Sequence, residues 1–171
     1  MNIIFHNDFY NSNYANDSAS VQGRMEVIIN SLREDGKYPI IEPEPATYND
    51  ILLAHTNDYL DKIKTKQELY KMASLSAGAA IKAAQIAYTG TPTFACLRPP
   101  GHHAYRSSGW GYCHFCNMAI ALLKLKQQKL IESAFILDFD AHTGDGTIDC
   151  LSEWKSVKIL NPMADNSYSY M

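Results

Sequence analysis

Two adjacent histidines, His102 and His103, and the run Asp138, Asp140, His142 and Asp145 are the residues of this 171-residue chain best suited to do chemistry. An imidazole titrates near neutral pH and serves as base or acid, its tautomer set by a carboxylate on the other ring nitrogen. Asp138 and Asp145 are the carboxylates available for that duty. Asp138, Asp140 and His142 stand at i, i+2 and i+4, so while the chain stays extended they share one face. Carboxylates leaving a core need a partner or a cation, and an Asp with a His is a sound start for a zinc site. Metal ligation by His102 or His103 ranks below acid/base duty, because each has a candidate Asp.

The segments that must position these groups are legible from periodicity. Ile3 to Phe5 reads as a strand, and Val21, Met25, Ile28, Ile29 and Leu32 follow the 3.6 period of a helix that Gly36 ends. Pro39 to Ile41 reads as a short strand. Tyr48 to Ala54, and then Tyr59, Leu60 and Ile63 behind Thr56 as N-cap, read as two short helices. Ser74 to Tyr88 is an Ala-rich helix, and Gly90, Thr91 and Pro92 turn the chain into a strand over Thr93 to Leu97. A helix over Asn117 to Leu130 precedes Ala134 to Phe139, whose nearly continuous apolar run predicts a strand buried on both faces. Val157 to Leu160 repeats that pattern. Strands alternating with helices argue for right-handed βαβ units, an α/β three-layer fold with a parallel sheet flanked by helices. In such folds chemistry lies beyond the carboxyl ends of the strands. Pro99, Pro100 and Gly101 lead into the histidines after one strand, and Asp138 begins the acidic run after another. The turn at Gly144, Asp145 and Gly146 lets the chain fold back so that Asp145 also reaches the site.

The composition, 46% hydrophobic and 19% charged, suits one domain over residues 1–171, with no repeat or linker to divide it. The net charge of -3, without a Lys/Arg run, argues against direct nucleic acid binding. No stretch approaches membrane-spanning length and the N-terminus does not read as a signal peptide, so the expected compartment is the cytoplasm. The spacing of Cys96, Cys113, Cys116 and Cys150 suits reduced thiols. Cys113 and Cys116 form a Cys-x-x-Cys without a second pair, so packing is their expected role.

Three segments, Arg98-Pro-Pro-Gly-His-His-Ala, Gly111-Tyr-Cys-His-Phe-Cys-Asn and Asp138-Phe-Asp-Ala-His-Thr-Gly-Asp-Gly-Thr, resemble in order and spacing the histone deacetylase superfamily, which includes acetylpolyamine amidohydrolases. Pro45-Ala-Thr and His55-Thr extend the resemblance more loosely. The resemblance implies an arginase/deacetylase-like fold and a Zn2+ cofactor, another divalent transition metal being an alternative, held by Asp140 and His142. It further implies acid/base dyads of His102 with Asp138 and His103 with Asp145, with Gly111 and Tyr112 lining an acyl-lysine channel. The implied reaction is hydrolysis of an acetylated lysine peptide or acetylated small amine to acetate and free amine.

Some positions depart from the family pattern. Thr143 stands where a second His is common, Cys116 where Asn is frequent, and Ala19 to Gly23 lacks the usual His-Pro segment before Arg24. The family's third zinc ligand, an Asp, and its carbonyl-polarising Tyr have no counterpart here, since Asp165, Tyr168 and Tyr170 lack the expected context. A parallel strand at Val157 to Leu160 also needs a covering helix and a neighbour. The expectation is that the fold is incomplete at its C-terminus, that the chain is a portion of a longer polypeptide or one piece of a split protein with the remainder or an oligomeric partner completing it, a natural short form being the alternative, and that alone it is inactive. Two competing readings are a non-catalytic acyl-lysine-binding module and a magnesium-dependent phosphatase of haloacid-dehalogenase type. His142 opposes the second, because that family wants Thr or Val there.

Overall fold

A computed structural model describes residues 1–14 and 20–162. Asp165, Tyr168 and Tyr170 lie outside the described residues, as does Ala19 of the segment before Arg24. The chain opens with β1 (Asn2–Ile4) and a 3-10 turn at Asn7–Tyr10, followed by α1 (Arg24–Asp35) and β2 (Ile40–Ile41). Helices α2 (Tyr48–Ile51), α3 (Asn57–Lys64) and α4 (Gln67–Tyr88) lead to β3 (Thr93–Ala95). Then come α5 (Asn117–Gln127), β4 (Ala134–Leu137), α6 (Asp145–Leu151) and β5 (Val157–Leu160).

Local chemistry sets most of these boundaries. Gly36 ends α1 in the left-handed conformation, with φ of 66°. Thr47 and Asp50 form a reciprocal capping box on α2, and Thr56 caps α3, with its hydroxyl accepting from the Tyr59 N–H. Helix α4 begins seven residues before the expected Ser74, because Leu69 and Met72 carry its buried face back through a polar-looking stretch. Helix α5 stops at Gln127 rather than Leu130. Lys129 takes the left-handed conformation and the Leu130 N–H returns to the Leu125 carbonyl, a Schellman ending without its usual glycine.

The strands are parallel throughout, in two sheets ordered β2-β1-β3 and β4-β5. Ile3 and Ile4 point to opposite faces of β1 and both are fully buried, so that strand is covered by other layers on each side. Helix α4 packs on β1 and β3, and α5 packs along α4. Strand β4 is covered on one face. Ile136 is buried, whereas Phe135 and Leu137 are 64% and 52% exposed, in contrast to the expectation of burial on both sides. The physical reason is that no described helix covers the Phe135 face.

Between the edges of β3 and β4 lies an apolar cavity of about 810 Å³, lined by Thr93, Ala95 and Leu97 on one side and Ile136 and Leu137 on the other. No described strand bridges them, which is why the strands form two sheets. Among the described residues, no helix is long and apolar enough to cross a membrane.

Candidate active site

The histidines follow β3 and the acidic run follows β4, so the two sheets deliver opposite sides of one site. The loop after β3 is packed from below. A Cβ on Gly101 would meet the Asn117 N and Phe115 O, each at 2.6 Å, so the chain passes too close to α5 for any other residue. Asn117 and Ser76 then bind the same turn, both donating to the Pro99 carbonyl, at 3.1 and 2.8 Å.

His102 Nδ1 lies 3.1 Å from Asp138 Oδ2, and His103 Nδ1 lies 2.7 Å from Asp145 Oδ1. An ionised carboxylate only accepts, so each pair fixes the proton on Nδ1 and leaves Nε2 as the basic nitrogen. The hydrogen bond to Asp138 raises the His102 pKa, against a smaller opposing effect of burial. Burial pushes both carboxyls up. Hydrogen bonds outweigh it and hold them below the usual range: from His102 and the Asp140 N–H for Asp138, and from His103 and Tyr105 for Asp145. The two imidazoles lie 4.0 Å apart between ring centroids, tilted by 39°. His103 is buried, and a Cβ on Gly111 would come within 2.6 Å of its Cδ2. Gly111 and Tyr112 both have positive φ, of 55° and 66°, which turns the chain tightly around that ring.

On the other side, β4 ends at Leu137, so Asp138, Asp140 and His142 are not gathered by an extended strand as expected. They are gathered by a turn. The Asp140 N–H donates to Asp138 Oδ1 at 3.2 Å, and the His142 N–H donates to Asp140 Oδ1 at 2.9 Å. That second bond is the main reason the Asp140 carboxyl titrates below its usual range. His142 Nδ1 lies 3.1 Å from Asp140 Oδ1, and His102 Nε2 lies 4.0 Å from the same oxygen. The Asp140 and His142 side chains are 49% and 71% exposed.

Whether these residues suit a metal can be tested on their donor atoms. A tetrahedral zinc with ligand bonds of about 2.0–2.1 Å has an edge of about 3.3 Å between donors. The 3.1 Å between Asp140 Oδ1 and His142 Nδ1 fits two corners of such a site. Among the described residues, no group of three His, Cys, Asp or Glu side chains is arranged to hold a metal. The four cysteines are buried with free thiols, and burial pushes the Cys113 thiol up to about 12, which disfavours the thiolate a metal needs.

Asn161 and Trp110 escape a reading of the sequence, and His55, noted there only as part of a loose resemblance, is given its place by the structure. Asn161, buried at the end of β5, donates to the Asp138 carbonyl at 3.0 Å and accepts from the Gly144 N–H at 3.4 Å. His55 is 5% exposed; its Nδ1–H donates to the Tyr105 carbonyl and its Nε2 accepts from the Cys116 N–H, both at 2.9 Å. Trp110 stacks on His103. For Asn161 no sequence signal exists, whereas Trp110 stands immediately before the singled-out Gly111.

Parallel strands flanked by helices, with ionisable side chains gathered beyond their carboxyl ends, define an α/β protein of the arginase/deacetylase architecture. Residues 18–170 match the family model described as the histone deacetylase domain, and the chain belongs to that family. It is 32% identical over 166 residues to a protein named "Probable deacetylase" from Archaeoglobus fulgidus, covering 85% of this chain and 46% of that one. It is 31% identical to "Polyamine deacetylase HDAC10" from Danio rerio, covering 80% of this chain and 24% of that protein. The fold is similar to the crystal structure of the HDA15 HD domain, with a TM-score of 0.82 over 94% of this chain and 54% of that one, at 24% identity. The chain thus spans about half, or less, of the relatives it matches.

Proposed function

We propose that the protein containing this chain is a zinc-dependent hydrolase that removes acetyl or related acyl groups from lysine or from a polyamine-like amine. The observation that carries the reading is the convergence of two His–Asp pairs on the Asp140 and His142 donor pair, with His102 Nε2 4.0 Å from Asp140 Oδ1. Membership of the histone deacetylase family supports it. Asp140 and His142 are the residues that would hold the metal, together with ligands from outside the described residues. Bound there, zinc supplies Lewis acidity, polarising the amide carbonyl and making water a better nucleophile.

The chain's own residues handle the protons. His102 and His103, each with Nδ1–H committed to its aspartate, present Nε2 to accept a proton from the attacking water. The imidazolium so formed is stabilised by the carboxylate behind it and returns a proton to the departing amine nitrogen. Gly111 and half-exposed Tyr112 form a wall of the channel in which the acylated arm lies beside His103. The two ligands found among the described residues make half a tetrahedral site, so the 171-residue chain taken alone should bind zinc weakly and turn over negligibly.

The test uses the full-length protein. Purified material should contain zinc and release acetate from an N-acetyl-lysine peptide or an N-acetylated polyamine. The double substitution of His102 and His103 by Ala should remove turnover and leave the zinc in place. Absence of zinc, or full activity in the double variant, overturns the reading.

A further inference from the structure

The two dyads are not equivalent. Among the described residues His102 has one ring neighbour, whereas His103 has three: His102 tilted at 4.0 Å, His142 edge-on at 5.9 Å, and the indole of Trp110 stacked on it at 3.9 Å between centroids and 29° between planes. The same indole reaches the other member of the dyad. Trp110 Nε1–H donates to Asp145 Oδ2 at 3.1 Å, while His103 Nδ1–H donates to Asp145 Oδ1 at 2.7 Å. The Gly146 N–H also donates, to Oδ1 at 2.8 Å, and Tyr105 hydrogen-bonds the same carboxylate. Both carboxylate oxygens are thereby engaged, so the Asp145 side chain cannot rotate about its last torsion without breaking bonds at two positions. For Asp138 the corresponding donors are the His102 imidazole and the Asp140 backbone, with no indole among them.

Trp110 is not held there by burial in the core. It is 52% exposed, and half of a large aromatic surface is left to solvent where a core residue would be covered. What holds it is backbone geometry. The isolated bridge between Ala104 and Gly109 turns the chain back over the histidines, the Trp110 N–H donates to the His103 carbonyl at 3.4 Å, and the Cys113 N–H closes the following turn on the Trp110 carbonyl at 2.9 Å.

From this we infer that Trp110 is a positioning residue for the His103–Asp145 dyad: its ring face fixes the plane of the imidazole and its N–H fixes the carboxylate that orients it. The inference rests on the proposed hydrolase reading, in which His103 moves protons. Trp110 itself need not touch the reacting atoms. A stacked ring and a bidentate carboxylate together remove the two rotations that would carry Nε2 off its line to substrate, and misplacement by about 1 Å can cost about a hundredfold in rate.

The test is a kinetic cycle in the full-length enzyme with an N-acetyl-lysine peptide, using Trp110→Ala, Trp110→Phe, His103→Ala and the Trp110→Ala/His103→Ala double variant. Trp110→Ala should lower kcat by about tenfold to a hundredfold while KM and zinc content stay within about twofold. Trp110→Phe keeps the stacking ring and loses the N–H, so its kcat should fall by about threefold to tenfold. In the His103→Ala background, Trp110→Ala should cost nothing more, because its effect passes through the missing imidazole. If Trp110→Ala does not fold, Trp110→Phe decides alone, and an unchanged kcat in it overturns the inference. Additive losses in the double variant, or a change confined to KM, overturn it as well. Failure of the hydrolase reading looks different: the unsubstituted protein would lack zinc or release no acetate, or His103→Ala would keep full activity, whatever stands at position 110.

Discussion

The His102–His103 loop and the Asp138–Gly144 turn meet in one site but are held by different means. The histidine loop is pressed on from several elements: Gly101 lies against α5, Gly146 of α6 lies against Ala104, and the Thr147 N–H donates to the His102 carbonyl at 3.1 Å. The turn after β4 is held from outside at its two ends, by Asn161 on the Asp138 carbonyl and the Gly144 N–H and by His102 on the Asp138 carboxylate, and between them by hydrogen bonds within itself. Strands β1 and β3 belong to a sheet with a strand buried on both faces, and β4 to a sheet covered on one. This chain thus holds the two His–Asp pairs, to which the proposed function gives the proton transfers, in a packed frame, whereas the donor pair Asp140 and His142 is left open and half committed to its own turn.

The largest expected effect separates the two sides by what each supplies. In the full-length protein, His103→Ala should lower turnover by about a hundredfold to ten-thousandfold with zinc retained. Asp140→Ala should lose the zinc, as read by metal analysis beside the rate. If both variants lost zinc equally, the division of labour would be wrong.

Next comes pH. His55, buried beneath the histidine loop, has its pKa lowered to about 4 by burial. Its unfolded form binds a proton from about pH 6.5 downward while the folded form resists until about 4. Stability therefore is fully present above pH 6.5 and falls as pH drops, by about 3 kcal/mol across the window. Urea denaturation at pH 7 and pH 4.5 should show that slope, and His55→Gln should flatten it. His102 has the opposite sign: its raised pKa stabilises at low pH, and that contribution is lost as pH rises through its folded value.

Smaller still is the steric prediction. Gly146→Ala places a methyl 2.5 Å from the Ala104 backbone and should cost about 2 kcal/mol in denaturant midpoint measurements, because backbone on both sides must give. With metal removed by chelation, Asp140→Ala and His142→Ala should each shift stability by no more than about 0.5 kcal/mol, since the one side chain is half-exposed and the other mostly so. A loss from either that matched Gly146→Ala would remove the contrast between a built side and an open one.

Much of the framework was legible before any coordinates. The strand at Val157–Leu160, the end of α1 at Gly36 and the Thr56 cap are local events, written in periodicity and in the conformational preferences of single residues. The start of α4 and the end of α5 were less so. A polar surface turn hides the first, and a lysine takes the glycine position in the second.

The sequence alone singled out candidate side chains for chemistry, because His, Asp and Gly at those spacings have few other uses at strand ends. It left open which aspartate serves which histidine on the residues alone, the resemblance supplying the pairing. The tertiary structure decided the rest. His102 meets Asp138 across 36 residues, His103 meets Asp145 across 42, and Trp110 meets Asp145 across 35. It also decided that β3 and β4 stand apart across a cavity and that Phe135 and Leu137 face out. Contacts of that span depend on how layers pack, and no local pattern of residues encodes them.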